Sequence, residues 1–454
     1  MKKKNVKMEI INPHAAGIDV GSRSFLVAIG QAKDEVKEFG VYNEDIQLII
    51  AWFLANGIKT VAMESTGTYW QNLFSALQAA GFQVLLCNGK FTKNMYDKKT
   101  DVQDSQWIQK LHTLGLLKGS FLPDGATEQL RTYCRHRTNL LEQAADTTRK
   151  MQKYLRLLNL RLDIVVRDVT GLTGLSIIKA ICDGESVPEK LACLRHGNCH
   201  KSEQEIAKAL QSNGRKDYLF SLNHEYETYQ HFQHKIEECD KEIEKMLHDQ
   251  INSDDEKKQH FIEKKIHKRI NKNTPKNIDM NLMAYQYFEG VDLLAIEGVS
   301  HSTVLTLMSE VGNDGIGKFK TAKQFVSWLR LSPNTKKTGG KVISSRIPKG
   351  SNRLKIALRN AANVIGNLKD SPLSNFFKRI AFRKGRTAAV SATARKLGVI
   401  IWNMLVNKVP YKPITDYEFL DQKRKRKVRE MKKLIAKFDI KNDELGFAMA
   451  SNPC

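Results

Sequence analysis

The chain has 454 residues, of which 41% are hydrophobic, so ordinary cores can form and about two to four domains are expected. Lys and Arg number 73 against 49 Asp and Glu, a formal charge of +24, which points to a polyanionic partner. No run approaches the ~18–20 apolar residues of a membrane span, and the basic start Met1–Glu9 has no apolar stretch behind it of the kind a secretory signal carries.

Seven cysteines, an odd number scattered along the chain, favour free thiols in a reducing compartment. Cys193, His196, Cys199 and His200 are grouped, but the second paired-ligand step of a zinc finger is missing. A plain surface segment is the simpler reading.

In chain order, residues 1–14 form a basic tail, and 15–125 alternate between strand and helix patterns. Gly17–Val20 and Ser24–Ile29 around a Gly-Ser turn predict a hairpin, and Asp45–Asn56 a helix. Thr60–Met63 and Phe82–Cys87 predict buried strands on either side of a helix from Tyr69 to Ala80. A further helix follows over Asp101–Leu117. A hairpin followed by βα units predicts an α/β sheet of ribonuclease-H type.

Residues 126–290 read as coiled-coil helices with an insertion and a polar linker. Leu141, Ala144, Thr148, Met151, Leu155, Leu158, Leu162 and Val165 step alternately by 3 and 4, as a heptad seam does. A second seam runs through Phe232, Ile236, Cys239, Ile243 and Met246. These helices can pair antiparallel within the chain, pair across subunits, or simply pack on their own domain. Residues 252–280 are polar and charged, as a linker is. A mostly helical domain is expected at 291–410, then a basic tail at 411–454. The tail carries Lys423-Arg424-Lys425-Arg426-Lys427, either a solvated helix face or a phosphate contact.

Four acids stand out in this basic chain. Asp19 lies within Gly17-Ile18-Asp19-Val20-Gly21, Glu64 closes the apolar run Val61-Ala62-Met63, and Asp101 and Asp104 are spaced i, i+3 on one predicted helix face. Carboxylates on two strands and a helix are what Mg²⁺-assisted phosphodiester chemistry needs, since hard divalent ions take oxygen ligands. On spacing alone, a helix N-cap at Asp101 and a first-turn acid at Asp104 account for the pair equally well.

A second constellation, Leu331–Arg353, reads as a basic, hydroxyl-rich, glycine-containing loop ahead of a helix over Leu354–Ile365. Lys341, Arg346, Lys349 and Arg353 can clamp phosphate, and Gly339-Gly340 lets a backbone approach closely. A hydroxyl held there can attack phosphorus, or the loop can bind phosphate without a nucleophile. Upstream, Leu294–Ser300 ahead of a helix at Ser302–Val311 resembles a helix-hairpin-helix, with Ser300 where that motif usually has a second glycine.

These motifs occur in an order that resembles the DEDD transposases of the IS-one-ten (IS110) insertion-sequence group, particularly its IS-eleven-eleven branch. The resemblance rests on residues 17–21, Glu64-Ser65-Thr66-Gly67-Thr68-Tyr69, Lys99–Asp104, Ile296-Glu297-Gly298-Val299, Thr338–Arg346 and Ser351-Asn352-Arg353. It covers about 15–165 and 290–410. It implies a RuvC-like catalytic domain at 15–125 in which Asp19, Glu64, Asp101 and Asp104 bind Mg²⁺, with Mn²⁺ as a substitute. It also implies a C-terminal transposase domain whose hydroxyl forms a covalent link to DNA during excision and insertion. Members of the group pair a bridge RNA with donor and target DNA and work as multimers, so the expected partners are element-end and target DNA, a structured guide RNA and a second or fourth copy of the chain, with no membrane. The implied location is the nucleoid in the cytoplasm of a bacterium or archaeon. The family's serine aligns with Thr338, whose β-methyl restricts its rotamer; Thr338, Ser344 and Ser345 all remain candidates. The segment 170–290 is longer than the family's middle segment. Two other readings fit the same residues: a hydrolytic RuvC-like nuclease of branched DNA, and an inactive nucleic-acid-binding descendant of a transposase.

Overall fold

The computed structural model describes residues 9–89, 101–253, 270–276, 278–350, 352–413 and 416–439. The chain divides into two units, Met1–Leu122 and Pro123–Cys454.

In the first unit, β1 (Ala15–Val20) is apolar at nearly every position and buried along its length, as a central strand must be. β2 (Phe25–Ala28) returns antiparallel to it, and β3 (Val36–Phe39) continues the meander. After α1 (Asn43–Ala55), β4 (Thr60–Glu64) pairs parallel with β1. After α2 (Trp70–Ala79), β5 (Gln83–Cys87) pairs parallel with β4. The sheet order is β3-β2-β1-β4-β5, and α3 (Asp101–Thr113) lies against β1, β2 and β4. A mixed five-stranded sheet with these helices fits the ribonuclease-H-like class expected from the sequence. Ile18, Val27, Ile49, Phe53, Met63 and Leu73 lie in its core.

Strand β3 was not among the expected elements. Lys37 and Glu38 are exposed and only Val36 and Phe39 are half-buried, so this charged edge strand leaves almost no apolar signal. Helix α3 also stops at Thr113, short of Leu117, where the chain turns so that Leu116 N–H reaches Leu111 O at 2.9 Å.

The second unit is mostly helical. Asp124 caps α4 (Gly125–Leu157) by accepting the Thr127 N–H at 2.8 Å. Four short helices follow, α5 (Leu162–Val165), α6 (Leu172–Cys182), α7 (Pro188–Ala192) and α8 (Glu203–Ala209). The long helix α9 (Lys216–Asn252) then returns along α4. The pairing is antiparallel: Arg137 meets Asp240, and Lys150 meets Glu225 at 3.3 Å.

The seam read from sequence through Val165 ends earlier. Helix α4 stops at Leu157, Leu158 caps it, Asn159 turns at φ 60°, and Leu162 and Val165 join the core from α5. Leu140 and Thr147 are buried in α4 rather than Leu141 and Thr148. On α9, Leu222, Tyr229, Ile236 and Ile243 recur every seventh residue as buried positions, and Leu247 is buried where Met246 is only half-buried. Much of the polar stretch 252–280, residues 254–269 and 277, lies outside the described residues, as do residues 1–8 and 440–454 of the tails.

From α10 (Met280–Tyr287) the chain continues through α11 (His301–Glu310), α12 (Asn313–Gly317) and α13 (Ala322–Trp328). The segment expected as a loop then forms a ribbon, β6 (Lys336–Thr338) and β7 (Lys341–Ser344). Both Gly339 and Gly340 have positive φ, 54° and 77°, which is the conformation a two-residue hairpin turn demands. That run of lysines and hydroxyls hides the strand pattern, since it alternates no apolar face. Helices α14 (Arg353–Asn367), α15 (Pro372–Lys384), α16 (Arg386–Asn407) and the basic α17 (Asp416–Phe438) complete the unit. Among the described residues α16 alone is long and apolar enough to cross a membrane; half of its apolar window is buried against its neighbours, as a core helix is.

Ahead of α11, the first arm of the expected helix-hairpin-helix is only a single 3-10 turn, Leu293–Ala295. Gly298 sits in left-handed backbone at φ 75°, and a Cβ there would meet Ala361 O at 2.7 Å and Ile365 Cγ1 at 2.6 Å. Its smallness therefore serves the packing of α14.

The α4–α9 pair is joined by a buried charge. The Arg137 side chain is 7% exposed and that of Asp240 2%; Arg137 Nη1 also donates to Asn273 O at 3.0 Å, and Asp240 Oδ2 accepts the Lys276 N–H at 3.0 Å. Arg137→Ala leaves a buried carboxylate uncompensated and is expected to cost about 3–5 kcal/mol, read as a lowered urea midpoint. Arg137→Met with Asp240→Leu should recover most of that loss; a double variant as unstable as the single one would show that the ion pair is not the cause.

Candidate functional site

The strand register places the first two acids. Ile18 of β1 lies opposite Met63 of parallel β4, so Asp19 and Glu64 follow at the same level, at the C-terminal ends of two adjacent central strands. Residues opposed in register point to one face, and both carboxylates are half-buried. Such strand ends are where open α/β sheets present ligand-binding groups.

Gly17, two residues before Asp19, points to the same face. A Cβ there would meet Gln109 N at 2.2 Å and Ser105 O at 2.6 Å, so α3 rests its backbone directly on β1. Gln109 Nε2 donates to Ala15 O at 3.2 Å, while Ser105 lies at Gly17. Helix α3 therefore runs opposite to β1 and brings its first turn, Asp101–Asp104, toward the Asp19 end. Gln31 ties the helix to the sheet hairpin: its Nε2 donates to Gln106 O at 2.9 Å and to Gln109 Oε1 at 2.6 Å. Asp104 is half-buried, whereas the Asp101 side chain, with Lys99 and Thr100, lies outside the described residues.

Glu64 packs beside the backbone that follows β5, since a Cβ on Gly89 would fall 1.9 Å from Glu64 Oε1. Its charge also reaches the neighbouring strand. The Cys87 thiol is pushed up to about 12, by burial first and by the Glu64 carboxylate second, and it donates to Met63 O at 3.2 Å. Cys87 is thus an inert core thiol. Among the described residues no three His, Cys, Asp or Glu side chains form a ready-made metal set. The donor chemistry of Asp19, Glu64 and Asp104, all hard oxygen ligands, suits a divalent ion of the Mg²⁺ kind.

The hydroxyl candidates lie on the ribbon of the second unit. Thr338 opposes Lys341 across the two-glycine turn, and both are exposed. Ser344 is half-buried at the base, where its Oγ accepts the Arg346 N–H at 3.4 Å; Ser345 is exposed just beyond β7. Of the four cations read as phosphate clamps, Lys341 is on the ribbon, Arg346 and Lys349 lie in the strand-free return, and Arg353 opens α14.

Sequence reading missed a groove of about 950 Å³ within the second unit. It is walled by α4 with Arg135 and Leu141, by the start of α11 with Ser302 and Thr306, and by α14 with Arg353 and Asn360. The only sequence signal was the i, i+4 hydroxyl pair Ser302 and Thr306, which reads as ordinary helix surface. Glu310 holds two of these walls together: Arg135 Nη2 meets Glu310 Oε2 at 2.7 Å, and Arg131 Nη2 donates to Glu310 O at 2.8 Å.

Gly17→Ala is expected to push α3 off β1 at a cost of about 3 kcal/mol. In the full chain, amide hydrogen exchange over residues 101–113 should rise sharply while α4 stays protected; unchanged exchange would refute the backbone contact.

Comparison with known families accords with this architecture. The sequence model named for DEDD transposases of the IS110 kind, described as a transposase, matches residues 16–159. A second, for the transposase IS116/IS110/IS902 family, matches residues 292–378, and together the two cover about half of the chain. A Pseudomonas aeruginosa protein described as a probable family 20 transposase is 27% identical over 125 residues, spanning 27% of this chain and 36% of that relative. The alignment thus reaches only about a third of the relative's length. The first match takes in the sheet with Asp19 and Glu64, and the second takes in the ribbon with Thr338. The chain belongs to the IS110 family of transposases.

Proposed function

We propose that this chain is the recombinase of an insertion sequence, which cuts and rejoins DNA through a divalent-metal carboxylate site and a covalent hydroxyl–DNA link. The observation that carries the reading is the register of Asp19 beside Glu64 on adjacent parallel strands, with the first turn of α3 directed to the same end.

In this reading Asp19, Glu64, Asp101 and Asp104 hold Mg²⁺, or Mn²⁺ in its place. When bound, the metal supplies charge neutralisation at the scissile phosphodiester and activation of the attacking oxygen. Thr338 Oγ1 gives up its proton to solvent and attacks phosphorus; the new O–P bond forms as the P–O bond to the departing strand breaks, and that strand end takes a proton from solvent and leaves as a hydroxyl. Lys341, opposite Thr338 on the ribbon, binds the phosphate, with Arg346, Lys349 and Arg353 as further contacts. Partners in this reading are element-end and target DNA, a structured bridge RNA, and further copies of the chain as a dimer or tetramer, in the cytoplasm. The domain limits are 15–125 for the catalytic domain and 291–410 for the transposase domain, with 126–290 between them.

Asp19→Asn should lower DNA strand cleavage by at least about a hundredfold while leaving DNA binding nearly unchanged. Denaturing gels of the full chain with DNA test the link: an adduct absent in Thr338→Ala and kept in Ser344→Ala and Ser345→Ala supports Thr338. Loss in a serine variant instead would move the nucleophile there. Cleavage without any adduct would replace the reading with a hydrolytic nuclease, and binding without cleavage in either form with an inert descendant. RNA sequencing of the protein purified from cells tests the guide: recovery of one structured RNA from beside the reading frame is expected, and a random RNA population would remove it from the reading.

A further inference from the structure

Among the described residues no large hydrophobic side chain stands further into solvent than Phe382, which is 95% exposed. It lies near the end of α15, a helix with two other phenylalanines that folding does account for. Phe377 is buried, and Phe376 is half-buried with Lys396 Nζ 4.5 Å from its ring centroid. Phe382 follows Phe377 by five residues, about 140° around the helix, and so leaves the packed face. The corner that carries it is held in shape. Gly385 turns at φ 80° between α15 and α16, Arg386 Nη2 donates to Asn367 Oδ1 at 3.2 Å, and the Arg386 guanidinium lies 5.5 Å from the Phe377 ring centroid.

This part of the chain is one-sided in charge. Residues 315–415 hold 22 Lys and Arg and a single acid, Asp370. Lys378 lies one turn before Phe382 on the same side of α15, and Lys378, Arg383 and Lys384 are all exposed. So are six successive residues, Phe382 to Thr387. An aromatic ring among lysines and arginines is the arrangement with which proteins hold single strands, the ring stacking on a base and the cations meeting its phosphates. Surfaces of this charge repel a second copy of themselves and attract a polyanion.

We propose that Phe382 is a stacking platform for an unpaired base of single-stranded DNA, with Lys378, Arg383 and Lys384 on the flanking phosphates. Bases inside a duplex have both faces covered by their neighbours, so an exposed ring on a helix end meets an open face only on an unpaired strand. DNA is the strand assigned because the chain belongs to a transposase family, and a cut in a duplex leaves ends that can unpair. The assignment depends neither on which hydroxyl attacks nor on where a metal binds.

The test reads binding by the full chain, without divalent metal so that no strand is cut, through the fluorescence anisotropy of labelled oligodeoxythymidylate, oligouridylate and a mixed-sequence duplex. Phe382→Ala should weaken oligodeoxythymidylate binding about tenfold, the size of losing one stacked base. Duplex affinity should stay within about twofold, because cations supply it, and the thermal midpoint should not move, since the residue lies in solvent. Phe382→Trp should keep the affinity, and emission from the added indole should be quenched by the thymine strand. Arg383→Gln with Lys384→Gln should flatten the log–log salt dependence of oligodeoxythymidylate binding by about 1.4, the share of two phosphates, whereas Phe382→Ala should leave that slope alone. The platform is overturned if Phe382→Ala binds oligodeoxythymidylate as the unaltered chain does or loses duplex affinity equally, or if the double variant keeps the full salt slope. A larger loss for oligouridylate than for oligodeoxythymidylate would assign the ring to RNA. A lower oligomeric mass of Phe382→Ala without nucleic acid would assign it to a second copy, and either result overturns the proposal as well.

Discussion

The candidate carboxylate site depends on one close approach, the backbone of α3 lying on β1 at Gly17. A side chain at that position would overlap Gln109 N and Ser105 O, and the helix would have to rise from the sheet. Without the helix seated there, its first turn would not reach the level at which the adjacent strands end in Asp19 and Glu64. The polar ties from Gln31 and Gln109 then fix the helix along its length. Gln109 is buried, which is tolerable only because its amide donors and acceptor are met. A lack of side chain at one residue thus sets where charges several elements away can meet.

The second unit is organised by a different constraint. Arginines on helix α4 tie it to α9 through Asp240 and to α11 through Glu310. Buried ion pairs of this kind add little net stability compared with apolar contacts, but they penalise any arrangement that separates the partners. They therefore select one alignment of long helices whose apolar stripes would tolerate several. The short helices α5–α8 fill the end of the hairpin and share its core, which accounts for the length of the segment between the two long helices.

On the ribbon, the same two glycines that let the chain reverse also decide which side chains share a face. Because the turn has two residues, Thr338 is forced opposite Lys341. A hydroxyl and a cation are thereby held side by side on an exposed, acid-free strand pair. Their placement is a consequence of turn length and not of burial, which is why the candidate nucleophile is accessible while the carboxylates are half-enclosed.

The central strands, the two helices beside β4 and the order of the acidic motifs were legible in the sequence, because buried strands are apolar runs and helices repeat every three to four residues. The resemblance carried by residues 17–21, 64–69, 99–104 and 338–346 named the family before any geometry. The charged edge strand β3, the ribbon, the end of α4 at Leu157 and the groove walled by α4, α11 and α14 were not legible. None of them leaves an apolar period to read: an edge strand is set by its neighbour, a ribbon by a turn among lysines, a helix end by packing of the next segment, and the groove by walls from three separate helices. Composition alone determined that the chain is basic, with 73 Lys and Arg against 49 Asp and Glu. Only the tertiary structure decided that Asp19 and Glu64 stand side by side, because strand register is a property of two segments and is written in neither one alone.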